Sequence, residues 1–345
     1  MRHSFRFAKH ASALICAGLL SVNTQANMVE LEDSELSNIT GQAFINLSTD
    51  AHSGMNFTKI DFGVKVETQM NVKKLELGNY TRAGETRPAD LSINNFALGT
   101  VNADDSINPF LINNPYIELA YKGDRVVGVR VGFGEAQGFL SGDINSFTGN
   151  LAIDIYGKGS YLGPKISCGL DFLWCLPAKA LVSGAWANDD FKAQATLLDS
   201  NGNLDPVRAA MAGLSNGTQL SMPDGSSLAN WLLQSGFFNA GNCKLLGVNT
   251  CFNLTDYKTL PVGKFDTNTN QFLDTSKGVF ISLQTENVPW RDQQNAGQFI
   301  NALAGAFMNM PRNADGSGAV TLSFQQALEG ILRRDTCLGS AVSGC

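Results

Sequence analysis

A long alternation of apolar and polar residues is the feature that most constrains how this chain can fold. In MNFTKIDFGVKVETQMNVKKLELGNY, residues 55–80, Phe57 and Lys59 fall on one side of an extended chain, and Ile60 and Phe62 fall on the other. A period of two indicates β-strands, and it is typical of antiparallel strands that are buried on one face. The pattern continues through later runs such as YIELAY and VVGVRVGFG, with turn signals at KGD (122–124) and SGD (141–143).

These runs predict a mainly β fold of the α+β class. Residues 42–165 are interpreted as a β-rich domain, a largely antiparallel multi-stranded sheet that is folded as a sandwich or is curved or solenoid-like. Residues 166–345 form a mixed α/β region, in which strand patterns alternate with amphipathic helix patterns at 205–215, 227–237, 294–310 and 323–334. These helices either belong to a second domain or cover an open face of the sheet.

Residues 1–26 have the three parts of a secretory signal peptide. Arg2, Arg6 and Lys9 precede the apolar run 11–22, and TQA at 24–26 supplies small residues for cleavage. The run is shorter than the roughly 20 residues that a membrane-spanning helix needs. We therefore expect export through a Sec-type signal and no transmembrane helix. The cell surface, the outer membrane, the extracellular space and the periplasm stay open as destinations.

Charge and histidine content narrow the function classes. Loss of the leader leaves 22 of the 25 basic residues against all 31 acidic ones, and an acidic chain is a poor binder of nucleic-acid phosphates. His3 and His10 lie in the leader, so a Ser-His-Asp triad or a His-ligated metal would depend on His52 alone. We expect no enzyme, no catalytic residue and no cofactor. A hydrolase built on two carboxylates stays open, although no local signature singles out a pair.

Six cysteines after residue 26 lie in three close pairs. Pairing nearest neighbours predicts three local disulfide loops in the mixed region: Cys168–Cys175, Cys243–Cys251 and Cys337–Cys345. Zinc sites usually space their cysteines by two to four residues, whereas these are seven or eight apart. Each loop would stabilise the fold by about 2.5 kcal/mol on the chain-entropy model. Disulfides also agree with an exported protein.

One loop resembles part of a calcium-binding motif. In NADGSGAVTLSF, residues 313–324, Asn313, Asp315 and Ser317 occupy ligand positions, but Phe324 stands where a bidentate Glu is expected. Residues 199–205 and 266–274 also carry oxygen ligands, in patterns that Asx turns explain equally well. These are weak calcium candidates, and the sequence predicts no resident metal.

Residues 27–41, between the leader and the first strand, predict a short helix. Asp33 can cap its start, and Gly41 can take the left-handed position that ends a helix. So short a helix is marginal alone. Its apolar residues Leu31, Leu36 and Ile39 therefore need a surface to pack on.

This segment also resembles a motif found just after the signal peptide in a loose set of gammaproteobacterial exported proteins. The matching residues are Leu31, Asp33, Glu35, Leu36, Ser37, Ile39, Thr40, Gly41 and Gln42. Some of those proteins are linked to pilus-like surface systems. The resemblance implies a non-catalytic structural or surface-assembly protein, pilus-like or adhesion-associated, that has protein partners at the cell surface or assembles with itself.

The alternative is a hydrophobic-ligand or lipid-binding module of the periplasm or outer membrane. The chain has 21 Phe and only 6 Tyr. In this reading the amphipathic helices cover the sheet and enclose an apolar groove.

Overall fold

The computed structural model describes residues 45–169, 172–225, 227–234 and 238–337. Within these ranges the chain forms 24 strands and four α-helices, which confirms the mainly β fold class. The predicted leader, the predicted motif helix 27–41 and Gln42 lie outside the described residues.

The strands and helices have the following bounds. The first eleven strands are β1 (Ile45–His52), β2 (Met55–Phe62), β3 (Lys65–Thr68), β4 (Met70–Asn79), β5 (Ala89–Leu98), β6 (Thr100–Val101), β7 (Ile107–Asn108), β8 (Phe110–Lys122), β9 (Arg125–Ser146), β10 (Gly149–Leu151) and β11 (Ile153–Lys158). The others are β12 (Asp190–Leu198), β13 (Met211–Gly213), β14 (Lys244–Leu245), β15 (Val248–Asn249), β16 (Cys251–Asn253), β17 (Thr259–Val262), β18 (Lys264–Asp266), β19 (Gln271–Asp274), β20 (Ser276–Gln284), β21 (Val288–Arg291), β22 (Phe299–Ala302), β23 (Gly305–Met310) and β24 (Val320–Ser323). The helices are α1 (Gly159–Lys165), α2 (Phe172–Ser183), α3 (Ser227–Leu233) and α4 (Phe324–Glu329), with a 3₁₀ turn at Leu254–Asp256.

Sixteen of the strands form one branched sheet. Its longest path runs β1-β2-β8-β9-β17-β24-β11-β12-β13-β16, and β3, β4, β5, β10, β20 and β23 attach along it. The neighbours are antiparallel except for β10–β23 and β11–β24, so the predicted largely antiparallel sheet is confirmed. Strands from both predicted regions therefore pair in the same sheet.

Glycine allows a tight turn between two strands at one position and close packing of two strands at another. Ser53 and Gly54 form the two-residue turn between β1 and β2 with φ of 52° and 76°, as such tight hairpin turns require. The KGD signal lies at the β8–β9 turn. The SGD signal does not mark a turn, because residues 141–143 lie inside β9. A side chain at Gly142 would collide with Ile93, so this glycine allows β5 to pack closely on β9.

The structure corrects part of the predicted helix content. The stretches at 227–237 and 323–334 contain α3 and α4, and α4 begins with a capping box between Ser323 and Gln326. The helix expected at 294–310 is wrong, because these residues form β22 and β23. β23 lies between β20 and β10 and is buried on both faces, and such a continuous apolar run fits a helix and a buried strand equally well. Residues 205–215 contain the short strand β13 and no helix.

Two hydrophobic cores support the sheet. The larger core contains Ile93, Ile144, Ile155 and Phe191, and it draws residues from both sides of the predicted boundary at residue 165. The smaller core lies under the β21–β22 hairpin and is centred on Trp290. None of the helices in the described ranges is long and apolar enough to span a membrane.

Candidate functional site

An uncharged face of the β1–β2–β8–β9–β20 part of the sheet is the main candidate for a functional surface. One row of cross-strand neighbours runs from Leu47 through Ile60, Ile117 and Val131 to Ile281. With the residues of the adjacent rows it forms a surface that we call the apolar strip: Ile45, Leu47, Ile60, Phe62, Ile117, Leu119, Val129, Val131, Ile281 and Leu283.

Among the described residues, most of the apolar strip is open to solvent, and Ile281 at its far end packs partly on the larger core. Leu47 is 65% exposed, Ile45 is 56% exposed, and Leu283 and Val131 are 46% and 45% exposed. Five strands at the usual spacing give the strip a width of roughly 20 Å. Single exposed apolar residues are ordinary, whereas a large contiguous apolar surface is typical of interaction sites.

The opposite face is covered on β2, β8, β9 and β20, although it carries more polar residues. Phe57, Ala120 and Phe280 lie on it and pack against Trp290 and Val288 of the β21–β22 hairpin. At Gly128 an added Cβ would come 3.0 Å from the Trp290 ring, so glycine allows the hairpin to lie flat on β9. This hairpin fixes the face behind the strip, and it does not cover the strip itself.

A buried ion pair holds the covered face together. Arg130 is fully buried, and its Nε donates to Glu118 Oε2 at 2.8 Å. The guanidinium also lies 4.9–5.2 Å from the ring centroids of Tyr116, Phe280 and Trp290, within the range of cation–π attraction. Burial raises the pKa of Tyr116 to about 12. These contacts make the cluster part of the packing of the face.

A polar pocket of about 320 Å³ lies beside β1 on the covered face and includes Asp50, Lys59, Glu118 and Arg291. Each of these charges already has a partner. Arg291 Nε donates to Asp50 Oδ2 at 2.7 Å, and Lys59 pairs with Asp61 at 2.5 Å. The Arg291 guanidinium holds the pKa of Asp50 below its usual value. The charged side chains that line the pocket are therefore all paired with other side chains of the protein.

The second buried carboxylate, Asp90, joins β5 to distant parts of the chain. Arg208 Nε donates to Asp90 Oδ1 at 2.9 Å, the amide of Ala306 donates to Asp90 Oδ2 at 2.9 Å, and Arg82 Nη2 lies 3.4 Å from Asp90 Oδ1. Arg208 also donates to the carbonyl of Tyr80 at 2.8 Å. Since Asp90 and Arg208 are almost wholly buried, these bonds contribute to the fold.

The calcium candidates lie in a hydrogen-bonded turn. The amide and hydroxyl of Ser317 donate to Asp315 Oδ1 at 2.9 and 2.6 Å, and Asn313 Oδ1 accepts from the amide of Lys277. Asp199 and Asp266 likewise accept backbone amides of their own loops. The three loops are thus Asx-type turns whose carboxylates bind the local backbone. Within the described ranges, no three His, Cys, Asp or Glu side chains are grouped as metal ligands would be.

The structure contains two of the predicted disulfides. Cys168–Cys175 spans the start of α2, and Cys243–Cys251 joins β16 to the segment before β14. Cys337 is disulfide-bonded, and its predicted partner Cys345 lies outside the described residues. Disulfides indicate that the chain folds in an oxidising, exported location.

The remaining predicted site residues have varied positions. The motif residues Leu31, Asp33, Glu35, Leu36, Ile39, Gly41 and Gln42 lie outside the described residues. His52 ends β1, and its ring stacks on Phe299 with centroids 3.6 Å apart. Sequence reasoning missed the exposure of the strip, because alternation separates two faces without showing which one is covered.

The exposed apolar surface does not lie in the predicted groove under the helices. α1 and α4 pack against β11, away from the strip. An apolar cavity lies there between Ile155, Leu162, Leu214 and Phe324, and its volume of about 30 Å³ holds about one water molecule.

Residues 5–105 match the model of a protein family of unknown function, DUF6160. The match covers less than a third of the chain and includes β1 to β6. The search of curated proteins and the search of solved structures gave no match.

Proposed function

We propose that this chain is an exported, non-catalytic structural protein that assembles with protein partners at the cell surface. The observation that carries the proposal is the apolar strip. Association would remove its exposed side chains from water, at about 25 cal/mol per Å² of apolar area. Trp290 and the Arg130–Glu118 pair hold the covered face behind the strip, so the strands that carry the strip are fixed in place.

Other features support the exported and structural parts of this proposal. The leader pattern at 1–26 and the local disulfides agree with passage into an oxidising compartment. The post-leader motif resembles that of exported proteins linked to pilus-like systems. Intact mass of the protein from its own host tests the leader, since cleavage after Ala26 removes 26 residues.

The assembly role is tested by a pair of matched substitutions. Leu47 in the strip and Leu204 outside it are 65% and 69% exposed, so Leu47→Lys and Leu204→Lys change equally accessible side chains. Partners recovered with full-length protein from the host envelope are measured by quantitative mass spectrometry. We expect Leu47→Lys to lower their recovery at least about tenfold, because the lysine charge must be desolvated on association, and Leu204→Lys to leave it unchanged. Equal recovery with both variants would contradict the proposal.

The strip also supports the alternative function, binding of a lipid or another hydrophobic molecule. The small cavity near β11 is too small for such a ligand, so the ligand would lie on the strip. Native mass spectrometry of protein from the host distinguishes the two functions. A bound apolar molecule that Leu47→Lys releases and Leu204→Lys retains would favour ligand binding over protein assembly.

A further inference from the structure

Among the residues that the structure describes, nothing pairs with the outer edge of β1. Within the described residues β1 has one neighbour, β2, and the two strands pair over eight consecutive residues without a bulge. The sequence of β1, INLSTDAH, contains no Lys, Arg, Pro or Gly. Natural sheets usually blunt an exposed edge with charges, proline, bulges or a covering segment, because an open edge pairs with other strands.

The other long edge strand shows the usual protection. β4 pairs with β5 alone in the described part of the sheet, and it carries Lys73 and Lys74. Its start is also held by the segment near Thr336, because the side-chain amides of Gln69 and Asn71 both donate to the carbonyl of Thr336 at 2.6 Å. The contrast within one molecule indicates that the edge at β1 is left open for a partner.

The hairpin geometry shows which backbone groups β1 presents. His52 and Met55 close the two-residue turn, and the closing pair of such a turn is hydrogen-bonded. Backbone groups alternate along a strand, so the odd-numbered residues Leu47, Thr49 and Ala51 turn theirs away from β2. The amide of Ala51 accordingly donates to Asp50 Oδ1, at 2.9 Å, and not to β2.

We propose that β1 pairs antiparallel with β1 of a second copy, across a twofold axis normal to the sheet. This symmetry places odd-numbered residues opposite odd-numbered residues. Leu47 then lies beside apolar side chains of the other copy, and the apolar strip continues from one molecule into the next. The proposal deepens the proposed function, on which it rests, by naming the partner at this edge.

A second copy fits this edge better than a charged partner does. The carboxylate of Asp50 is already paired with Arg291, so two copies meet without strong like-charge repulsion although the whole chain is acidic. Ile45 and Leu47, at 56% and 65% exposure, gain cover from the same residues of the other copy. One strand from each copy buries less than the roughly 800 Å² per partner of a stable interface, so the dimer is weak and forms at high local concentration.

The backbone pairing is tested by two substitutions at one residue. Thr49→Pro removes an outward amide from the edge, and Thr49→Val keeps that amide and the strand preference. Sedimentation equilibrium of the full chain should show a concentration-dependent dimer. Its dissociation constant should rise at least about tenfold with Thr49→Pro and should hardly change with Thr49→Val, because each copy of the proline variant loses an intermolecular hydrogen bond.

Hydrogen exchange provides a test that does not depend on how a variant folds. The amides of Leu47 and Thr49 should exchange more slowly as the concentration of the unchanged protein rises, while the amide of Ser48, which is bonded to β2, should show little change. Exchange that is independent of concentration, or equal dimerisation of the two Thr49 variants, would overturn the β1 pairing. If the chain stays monomeric while Leu47→Lys still loses its envelope partners, this inference fails and the proposed function stands. If the dimer forms but no envelope partner is recovered, the proposed surface role fails.

Discussion

Two buried arginines, Arg130 and Arg208, each lie against one buried carboxylate in a different part of the sheet. Arg208 contacts Asp90 and backbone carbonyls that precede it by more than a hundred residues. Its φ of 46° is in the left-handed region, so its backbone is held in place by these contacts. Removal of one partner of such a pair leaves an uncompensated buried charge, which costs far more than the pair contributes.

Asp90→Asn should therefore lower the free energy of unfolding by about 3–5 kcal/mol, because Arg208 keeps its charge in a dry site. Urea unfolding followed by circular dichroism measures the change. Asp190→Asn is the matched control, since Asp190 pairs with Lys158 at 2.6 Å on the surface and both side chains are about half exposed. Exposed pairs contribute little, so the control should unfold like the unchanged protein. A similar loss in both variants would show that burial does not decide the cost.

The burial of Tyr116 predicts that the free energy of unfolding depends on pH in the alkaline range. Its hydroxyl is buried without a hydrogen-bond partner among the described residues, and its pKa is raised to about 12 by burial. The stability that this residue contributes is complete below the pKa of an unfolded tyrosine, about 10, and is lost as the pH rises through the folded pKa. The unfolding free energies of the protein and of Tyr116→Phe should diverge above the unfolded pKa, by about 1.4 kcal/mol at about pH 11.

Urea titrations at pH 8 to 11 measure this divergence. At neutral pH, Tyr116→Phe should be neutral or slightly stabilising, because it removes an unsatisfied buried hydroxyl. Parallel pH profiles for the two proteins would contradict the assignment of the slope to Tyr116.

At the scale of elements, the β21–β22 hairpin decides which side of the sheet is open. It covers the face of Phe57 and Phe280 with Trp290, which is fully buried, and it leaves the strip on the other side. The hairpin is also anchored at its ends, by Arg291 to Asp50 and by the stacking of Phe299 on His52. It therefore supports the end of β1, at Asp50 and His52, from behind.

Trp290→Ala should lower the free energy of unfolding by about 3–5 kcal/mol through loss of buried area and creation of a cavity. It should also speed exchange of the β1 amides, because β1 loses its backing. Hydrogen exchange with mass spectrometry and urea unfolding measure the two effects. Trp231→Ala is the control, since Trp231 is 64% exposed, and it should leave both quantities close to those of the unchanged protein. If the β1 amides of the Trp290 variant exchange at the unchanged rate, the hairpin does not support that strand.

The sequence pattern predicted correctly those elements that are determined by residues close together in the chain. The strands between residues 45 and 158 follow from alternation, the β8–β9 turn follows from the KGD signal, and the short cysteine spacings indicate their own partners. The helix predicted at 294–310 fails because the position of β23 between two other strands depends on contacts far along the chain. The exposure of the strip is also a long-range property, since the residues that cover the other face come from 288–302. Nothing near Arg208 in the sequence marks it as buried.

At the scale of the whole molecule, the two predicted regions share both a sheet and a core. β9, from the first region, pairs with β17 and β20 from the second, as well as with β5 and β8. The larger core draws on both regions as well. The described chain from Ile45 onward is therefore joined by long-range pairing, while the apolar strip occupies the part of the sheet next to β1.

The length of β9 has a mechanical consequence. The strand runs from Val127 in the smaller core to Ile144 in the larger one, and its 22 residues correspond to roughly 70 Å of extended backbone. A tensile load that enters through β1 and its neighbours is carried into the body of the protein along one covalent strand that is clamped on both sides by antiparallel partners. Shearing such a strand requires many hydrogen bonds to break at once, so the sheet resists a force that is directed along β9.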